Sequence, residues 1–474
     1  MDYRAVSELS PDERAALFER DAGIDAVRGD VADIIDRVHT EGDVALRELA
    51  AQYDDVEVGN LDVTDLAERA HEDVDDEILA AISEAAGNIR AFHEQQVPDD
   101  WRKEFDGREL GRRFRPIERV GVYAPGGTAA YPSSVLMGVL PAKIAGVNHV
   151  AVATPPADPM NPVTLAAAHE AGADAIYAAG GAQAVAALAY GTETVTGVQK
   201  IVGPGNKWVT AAKAEVRGDV EIDFLAGPSE ILIVCDETAD PTLVASDLIA
   251  QAEHDPNASV VAVTADKATA AAIGEAVDKQ VANRKRSDII SDALAHDASG
   301  VLLARSMSEA VLFAEEYAAE HLSIQADDDE AILDRISAAG SVFLGPHTPV
   351  AAGDYASGTN HVLPTNGGAK RFGGLSVDAF LRSTTVPRID ADGLEQLSEA
   401  ITTLAAAHGP GAPAPTGPAA GAWRRTGPPT PSPLGRPAEV AGDDGSAPRP
   451  TGGQIESVRA ADPASEARLD SIAP

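Results

Sequence analysis

Two short segments combine side chains that could bind a metal ion or move protons. Gln251 and His254 stand three positions apart at the end of a predicted helix, so they share one helix face. An amide oxygen and an imidazole nitrogen there could ligate zinc, although a histidine near a helix C-terminus is also typical of a surface residue. Glu320 and His321 are an adjacent acid and base, which could serve two protons in one mechanism or form a solvated helix end.

A polar loop rich in glycine could line the same site. It runs from Gly353 to His361 and contains one carboxylate, Asp354, which could supply a third metal ligand through oxygen. Loops of this composition often carry binding residues, and they are equally typical of a mobile surface.

A glycine turn, Gly203-Pro204-Gly205-Asn206, precedes a predicted helix that runs through Lys213. The backbone N–H groups that open such a helix can face an anion such as a pyrophosphate. The standard dinucleotide fingerprint requires a third glycine where this chain has Trp208. The turn alone therefore leaves open both a nucleotide site and an ordinary connection.

The only cysteine, Cys235, ends the apolar run Ile231–Val234, which is typical of a buried strand. We interpret it as a small core residue and not as a nucleophile. This argues against a cysteine-dependent aldehyde dehydrogenase. A single cysteine also excludes a disulfide within the chain and a cysteine-cluster metal site.

The elements that carry these residues alternate between strands and helices. From about Val120, β-branched runs end in Gly/Pro turns and lead into alanine-rich helices. This alternation predicts an α/β fold with two Rossmann-like parallel-sheet units, over residues 106–235 and 236–375. We expect the first unit to hold the nucleotide and the second to hold the metal and the catalytic residues.

The two ends of the chain differ from this central part. Residues 1–105 have helical spacing and predict an all-α arm. Residues 376–408 read as the remnant of a C-terminal dimerisation element. Residues 409–474 contain 13 Pro and 10 Gly among 66 residues, so we expect this tail to be disordered.

The charge excludes several classes of partner. The chain of 474 residues carries 75 acidic against 37 basic residues, a net charge of −38. This balance disfavours nucleic acid and anionic membrane surfaces. Only 9 of the basic residues are lysine, and such an acidic surface favours a salt-rich cytoplasm, although it also fits an ordinary acidic protein. Without a signal peptide or an apolar run of about 18 residues, we expect a cytoplasmic protein.

Taken together, these motifs resemble the histidinol dehydrogenase family over about residues 30–405. Each segment is unspecific alone, but their common order makes the resemblance specific. The matching segments are Gly121–Gly127, Gly180–Ala184, Gly203–Asn206, Ala226–Glu230, Gln251–His254, Glu320–Leu322 and Gly353–Tyr355.

The resemblance implies that L-histidinol is oxidised through its aldehyde to L-histidine, with two NAD. It also implies a homodimer and one zinc ion per subunit. His321 would be the general base for both oxidations, and Glu320 would activate the water that hydrates the aldehyde. The binding residues that it implies are Tyr123, Gln183 and Asn206 for NAD, Gln251, His254 and Asp354 for zinc, and Ser229, Gln251, His254, His321 and Asp354 for the substrate.

The chain departs from the family pattern at its C-terminal end. The family has Glu-Gly-Leu-x-Ala-His there, whose Glu contacts substrate and whose His completes the zinc site of the partner subunit. The aligned positions here are His408 and Pro413. We hypothesise a shift of reading frame near residues 405–408; alternatively, His408 substitutes as a ligand. A missing ligand would make the chain an inactive or weakly active relative that binds nucleotide and substrate, and a dehydrogenase of another amino alcohol is a further alternative.

Overall fold

The computed structural model describes residues 2–18, 20, 23–126, 130–282 and 284–408. The predicted disordered tail, 409–474, lies outside the described residues, and so does Pro413. The chain divides into two compact units, Met1–Arg388 and Ile389–Pro474, and the catalytic candidates all belong to the first.

The strands of the described residues are numbered in chain order. They are β1 (Tyr3–Ala5), β2 (Trp101–Glu104), β3 (Arg108–Pro116), β4 (Arg119–Tyr123), β5 (His149–Thr154), β6 (Ala175–Ala178), β7 (Lys200–Val202), β8 (Glu221–Ile222), β9 (Glu230–Cys235), β10 (Ser259–Thr264), β11 (Gly300–Leu303), β12 (His321–Gln325), β13 (Ser341–Leu344) and β14 (Leu381–Ile389).

The α-helices are numbered in the same way. They are α1 (Pro11–Phe18), α2 (Arg28–Glu41), α3 (Asp43–Tyr53), α4 (Thr64–Asp73), α5 (Asp76–Glu94), α6 (Pro132–Ile144), α7 (Pro162–Ala171), α8 (Gly181–Tyr190), α9 (Lys207–Val216), α10 (Pro241–Ala252), α11 (Lys267–Val281), α12 (Ser287–Ala295), α13 (Met307–Tyr317), α14 (Asp329–Leu333), α15 (Val350–Tyr355) and α16 (Ala391–Ala407).

The first sheet is parallel and has the order β6-β5-β4-β7-β8. β4 comes first in the chain, β5 and β6 are added on one side of it, and β7 and β8 are added on the other. The order in which strands are added therefore reverses between β4 and β7, which is the direction switch of this sheet. Val120 and Val122 of β4 pack with α4 to α7, whereas Tyr123 packs with α2, α3, α8 and α9. Both faces are thus covered, which is the rule for parallel sheets.

The second sheet is also parallel, with the order β1-β11-β10-β9-β12-β13. Its direction switches between β9 and β12. Helices α10, α11 and α12 cover one face, and α1, α13 and α14 cover the other. The prediction of two parallel α/β units is confirmed.

Two of the predicted boundaries need correction. The segment 1–105 is not an all-α arm, because β1 extends the second sheet and α2 to α5 form the outer layers of the first. The first unit does not run to residue 235, because β9 pairs with β10 and β12 in the second sheet. The change of sheet falls before Glu230. In both cases an isolated run of residues does not specify which sheet it joins.

Two smaller elements complete the described chain. Strands β14, β3 and β2 form a separate three-stranded sheet. In the compact unit Ile389–Pro474, α16 is capped at its start by Asp390, whose side chain accepts a hydrogen bond from the Gly393 N–H. His408 is the C-cap, and its Nδ1 lies 2.7 Å from the Leu404 carbonyl oxygen. Among the described residues, we find no helix with the length and apolar character needed to cross a membrane.

Candidate active site

The amino ends of β9 and β12 bring the predicted acid–base pair to the direction switch of the second sheet. His321 is in register with Ile231, so Glu230 lies beside Glu320 and His321. Glu320 and His321 are 6% and 4% exposed, so neither is the solvated helix end that the sequence also allowed. Ligands usually bind at the carboxyl ends of such sheets, and this pair lies at the opposite edge.

His321 is held in one orientation by a backbone carbonyl. Its Nδ1 lies 3.1 Å from the carbonyl oxygen of Glu230. A carbonyl can only accept, so Nδ1 carries the hydrogen and, in the neutral ring, Nε2 keeps its lone pair. The Nε2 atom is buried, has no hydrogen-bond partner and lies 3.4 Å from Asp354 Oδ1.

Glu320 is fixed by the same neighbour. Its Oε2 accepts a hydrogen bond of 2.8 Å from the Glu230 N–H and lies 3.5 Å from Nδ1 of His321. Burial disfavours the charged imidazole, but the negative charges of Glu320 and Asp354 outweigh burial and raise the pKa of His321 well above its ordinary value.

A second histidine connects this pair to the first α/β unit. His361 Nδ1 lies 2.9 Å from the carbonyl oxygen of Asp354, and its Nε2 lies 3.2 Å from the hydroxyl of Ser134, in the first turn of α6. Burial lowers the pKa of His361, which favours the neutral ring. His361 is the last residue of the predicted polar loop, and its sequence position gave no sign that it joins the site.

The three predicted zinc ligands are Gln251 in α10, His254 in the turn that follows α10, and Asp354 in α15. The helix ends at Ala252, so Gln251 and His254 do not share a helix face as the sequence predicted. Gln251 is 3% exposed near the end of α10, and the backbone N–H of His254 donates to its carbonyl across 3.2 Å. Burial would raise the pKa of Asp354, but its close contact with His321 and the charges of His321, His361 and His254 lower it. His254 and Asp354 are thus electrostatic neighbours.

This donor set fits zinc in its chemistry but is small. It offers an amide oxygen, an imidazole nitrogen and a carboxylate, all of which can ligate zinc. No group of three His, Cys, Asp or Glu side chains is arranged to hold a metal ion within the described part of the chain. The predicted trio contains only two residues of those types, so it needs a further ligand.

Ser229, the predicted substrate contact, directly precedes Glu230 and is half-buried. Its carbonyl accepts a hydrogen bond of 3.0 Å from the Ser259 N–H. The residue therefore lies at the entrance to β9, next in the chain to the residue that holds the acid–base pair.

The predicted nucleotide residues lie at the carboxyl edge of the first sheet. Tyr123 ends β4, and its hydroxyl oxygen accepts a hydrogen bond of 3.1 Å from the Gly181 N–H. Gln183 lies in the first turn of α8 and is 4% exposed. Asn206 follows β7, and its side-chain oxygen caps α9 by accepting from Trp208 N–H at 3.0 Å. β4 and β7 are paired neighbours at which the strand order reverses, and nucleotides bind at the carboxyl ends of strands at such a switch point in these folds.

A buried ion pair that the sequence analysis missed holds the glycine turn. Asp223 accepts a hydrogen bond of 2.8 Å from the Gly203 N–H, and Lys213 donates to the Gly203 carbonyl across 3.1 Å. Lys213 and Asp223 also pair with each other. Gly203 has φ +115°, and a Cβ there would lie 2.2 Å from the Tyr123 carbonyl oxygen. Glycine is therefore required for the close approach of β4 and this turn.

Cys235 is fully buried in the core of the second α/β unit, as its position in an apolar run predicted. Burial raises the pKa of its thiol to about 12. The thiol is therefore protonated at neutral pH, and it is no nucleophile.

Comparisons with known proteins agree on one family. The family model described as histidinol dehydrogenase matches residues 18–412. A histidinol dehydrogenase of Halobacterium salinarum is 73% identical over 410 residues, which is 86% of this chain and 96% of that protein. One of Haloarcula marismortui is 69% identical, covering 86% and 97% of the two chains. The crystal structure of histidinol dehydrogenase from Elizabethkingia anophelis has a TM-score of 0.82 at 36% identity, over 86% of this chain and 95% of that one.

Proposed function

The chain belongs to the histidinol dehydrogenase family, and from this premise we propose that it oxidises L-histidinol to L-histidine in two NAD-dependent steps, with Glu320 and His321 as the residues that move the protons. The observation that carries the proposal is the fixed tautomer of His321, whose unpartnered Nε2 lies beside Asp354. Because Nδ1 keeps its hydrogen bond to Glu230, Nε2 is the nitrogen through which the neutral ring takes a hydroxyl proton.

The first oxidation needs one proton acceptor. As Nε2 of His321 takes the hydroxyl proton of histidinol, the carbinol carbon transfers a hydride to NAD and becomes the aldehyde carbon. The hydrogen bond from Nδ1 to Glu230 is kept throughout, and it stabilises the imidazolium that results.

The second oxidation needs a water molecule. The Glu320 carboxylate takes a proton from water as the oxygen adds to the aldehyde carbon. The His321 imidazolium returns its proton to the aldehyde oxygen, which completes the diol and restores the neutral base. His321 then takes a diol proton while a second hydride leaves for another NAD. Because Cys235 is buried with a protonated thiol, a hydrated aldehyde suits this chain better than a thioester route.

The proposed NAD site is the crevice above β4 and β7. Tyr123, Gln183 and Asn206 line its edge, and the N-terminus of α9 offers backbone N–H groups to the pyrophosphate. Burial raises the pKa of Tyr123 to about 12, so its hydroxyl remains a hydrogen-bond donor. Helix α6 begins nine residues after Tyr123, and its Ser134 hydroxyl contacts Nε2 of His361. This contact connects the crevice to the loop beside the acid–base pair.

The proposed zinc ligands are Gln251, His254 and Asp354, with one ion per subunit. Zinc bound there would supply a positive charge that holds the amine and imidazole of the substrate and offsets Asp354 beside His321. We propose the same residues, with Ser229 and His321, as substrate contacts.

The remaining proposals concern the setting of the enzyme. A homodimer would bring the C-terminal element of a partner subunit to the zinc site, and His408 and Pro413 stand where this chain departs from the family motif. The net charge of −38 suits a salt-rich cytoplasm.

A substrate panel tests the function. Purified, zinc-loaded protein in concentrated KCl would be given NAD with L-histidinol, or with amino alcohols that lack the imidazole. We expect NADH from L-histidinol alone. Faster turnover of an alcohol without an imidazole would overturn the substrate assignment and favour the alternative of another amino alcohol.

A further inference from the structure

Glu230 touches both members of the acid–base pair through its main chain. Its N–H donates to Glu320 Oε2 at 2.8 Å, and its carbonyl accepts from His321 Nδ1 at 3.1 Å. The peptide groups on either side of one Cα therefore set the position of the carboxylate and the tautomer of the imidazole. Any rotation of this residue would disturb both side chains together.

The side chain of Glu230 is itself anchored on both oxygens. Oε2 lies 2.9 Å from Nη1 of Arg20, and Oε1 accepts a hydrogen bond from the Asn366 backbone N–H. The side chains of Arg20 and Glu230 are 7% and 0% exposed. This ion pair therefore stands apart from the surface pairs of the chain, which contribute little.

Arg20 also holds the segment that leads into Glu320. Its guanidinium lies 3.8 Å from the ring centroid of Tyr317, and Nη2 donates to the Tyr317 carbonyl across 3.1 Å. Tyr317 is the last residue of α13, three positions before Glu320, and its hydroxyl is 2.7 Å from that of Ser259. One guanidinium thus joins the two segments that present the catalytic residues.

The buried carboxyl groups of Glu230 and Glu320 are stabilised in their charged form by a nearby cation. The charged and titratable groups that face the Glu230 carboxylate are Arg20, Tyr317, Glu320 and His321. Burial and the charge of Glu320 raise the pKa of the Glu230 carboxyl to about 7, and the positive charge of Arg20 opposes this rise by stabilising the carboxylate. Apolar residues of similar size often replace a buried ion pair without loss of stability, so stability alone does not account for this one.

We propose that Arg20 and Glu230 are positioning residues that hold Glu320 and His321 in their catalytic arrangement. Neither residue touches the reacting atoms in this account. The inference rests on the proposed function, because it assigns the pair a part in the same two oxidations.

The test uses the full-length chain and four variants of the pair. These are Arg20→Met, Glu230→Gln, the double variant with both changes, and Arg20→Lys as the conservative replacement. Asp43→Asn is the matched control, because Asp43 is a buried acid that hydrogen-bonds Thr192 and Thr194 in the first α/β unit. Activity would be measured as kcat and as the KM for NAD, over a range of pH.

We expect each charge-removing single variant to lower kcat by about tenfold to a hundredfold, the scale of a small misplacement of catalytic groups. The KM for NAD should stay within about twofold, because the nucleotide site lies on the other sheet. The pH profile should shift as the repulsion around Glu320 changes. Arg20→Lys and the double variant should recover part of kcat, whereas Asp43→Asn should lower only the melting temperature.

A second measurement reads the position of His321 without turnover. Isotope-edited imidazole NMR distinguishes the Nδ1–H tautomer from the Nε2–H tautomer, and the His321→Gln variant identifies the signal. At a pH high enough for the ring to be neutral, we expect Nδ1–H in the parent chain and a mixture of tautomers in Glu230→Gln and Arg20→Met. Folded single variants with the parent's kcat, pH profile and tautomer would overturn the inference. Failure of the parent to oxidise histidinol would instead overturn the proposed function.

Discussion

His321 donates its Nδ1 hydrogen to the backbone carbonyl of Glu230 across 3.1 Å, and this contact decides which ring nitrogen can act as a base. A side-chain acceptor could rotate away, but this carbonyl belongs to the first residue of a central strand, β9. The free nitrogen, Nε2, therefore has a fixed direction beside Asp354.

Substitutions of His321 and Glu320 should affect the two oxidation steps differently. His321→Asn should slow NADH formation from histidinol and from histidinaldehyde by about a hundredfold or more, because both steps lose their base. Glu320→Gln should slow the aldehyde step more than the alcohol step, because only the former needs water. Stopped-flow absorbance with each substrate measures this. The exposed His296→Asn variant is the control, and equal effects of Glu320→Gln on both steps would contradict the assignment.

Zinc retention should depend on the three proposed ligands. After dialysis, Asp354→Asn and His254→Ala should retain less zinc than the parent, as measured by elemental analysis, because each removes a donor. His39→Ala removes a histidine that stacks on Tyr190 instead, and it should retain as much zinc as the parent. If Asp354→Asn and the parent held equal zinc, the ligand assignment would be wrong.

The C-terminal departure gives a matched gain-of-function test. A double variant with His408→Glu and Pro413→His restores the family's two residues, so it should bind zinc more tightly and turn over faster than the parent. His408 caps α16 through Leu404, so His408→Asn alone should leave zinc retention unchanged. A large loss of zinc in His408→Asn would show that His408 is a substitute ligand.

The free energy of unfolding should depend on pH through the carboxyl group of Asp54. Burial raises the pKa of this carboxyl to about 6 from an ordinary 3.8. The folded state therefore binds the proton more tightly, and stability from this group is full below pH 3.8 and is lost as the pH rises through about 6. Asp54→Asn should stabilise the chain at neutral pH, with a gain that shrinks on acidification. Chemical denaturation at several pH values measures this, with the exposed Asp55→Asn as control; a gain that does not vary with pH would contradict it.

Salt should stabilise this chain by screening its own charge. With a net charge of −38, the melting temperature should rise steeply between about 0.2 M and about 3 M KCl, because like charges repel less at short Debye lengths. Sucrose at equal osmolality stabilises by exclusion without screening. Equal stabilisation by the two solutes would contradict the electrostatic explanation.

The sequence predicted the strands and the site residues better than it predicted their partners. Strand–turn–helix runs such as Val120 to Gly127 require only local signals, so two parallel sheets could be inferred. The pairing partner of the strand Tyr3–Ala5 could not be inferred, because its pairing with β11 joins residues about 300 positions apart. The boundary before Glu230 was missed for the same reason.

The acid–base pair could be found from adjacent residues, but what holds it could not. Arg20 stands in an unremarkable polar segment, and its contacts with Glu230 and Tyr317 arise only when the two segments fold together. Likewise, Lys213 and Asp223 gave no signal in the sequence, although they hold Gly203 from both sides. Buried ion pairs of this kind depend on tertiary contacts that periodicity does not encode.

The most direct measurement of the central claim is the stoichiometry of the reaction. Zinc-loaded protein would convert a limiting amount of L-histidinol in concentrated KCl, with NADH counted by absorbance and the product identified by mass. A slow enzyme suffices, because the ratio does not depend on the rate. This account predicts two NADH and one L-histidine for each L-histidinol. One NADH with accumulation of the aldehyde would contradict it, because Glu320 and His321 would then not support the second oxidation.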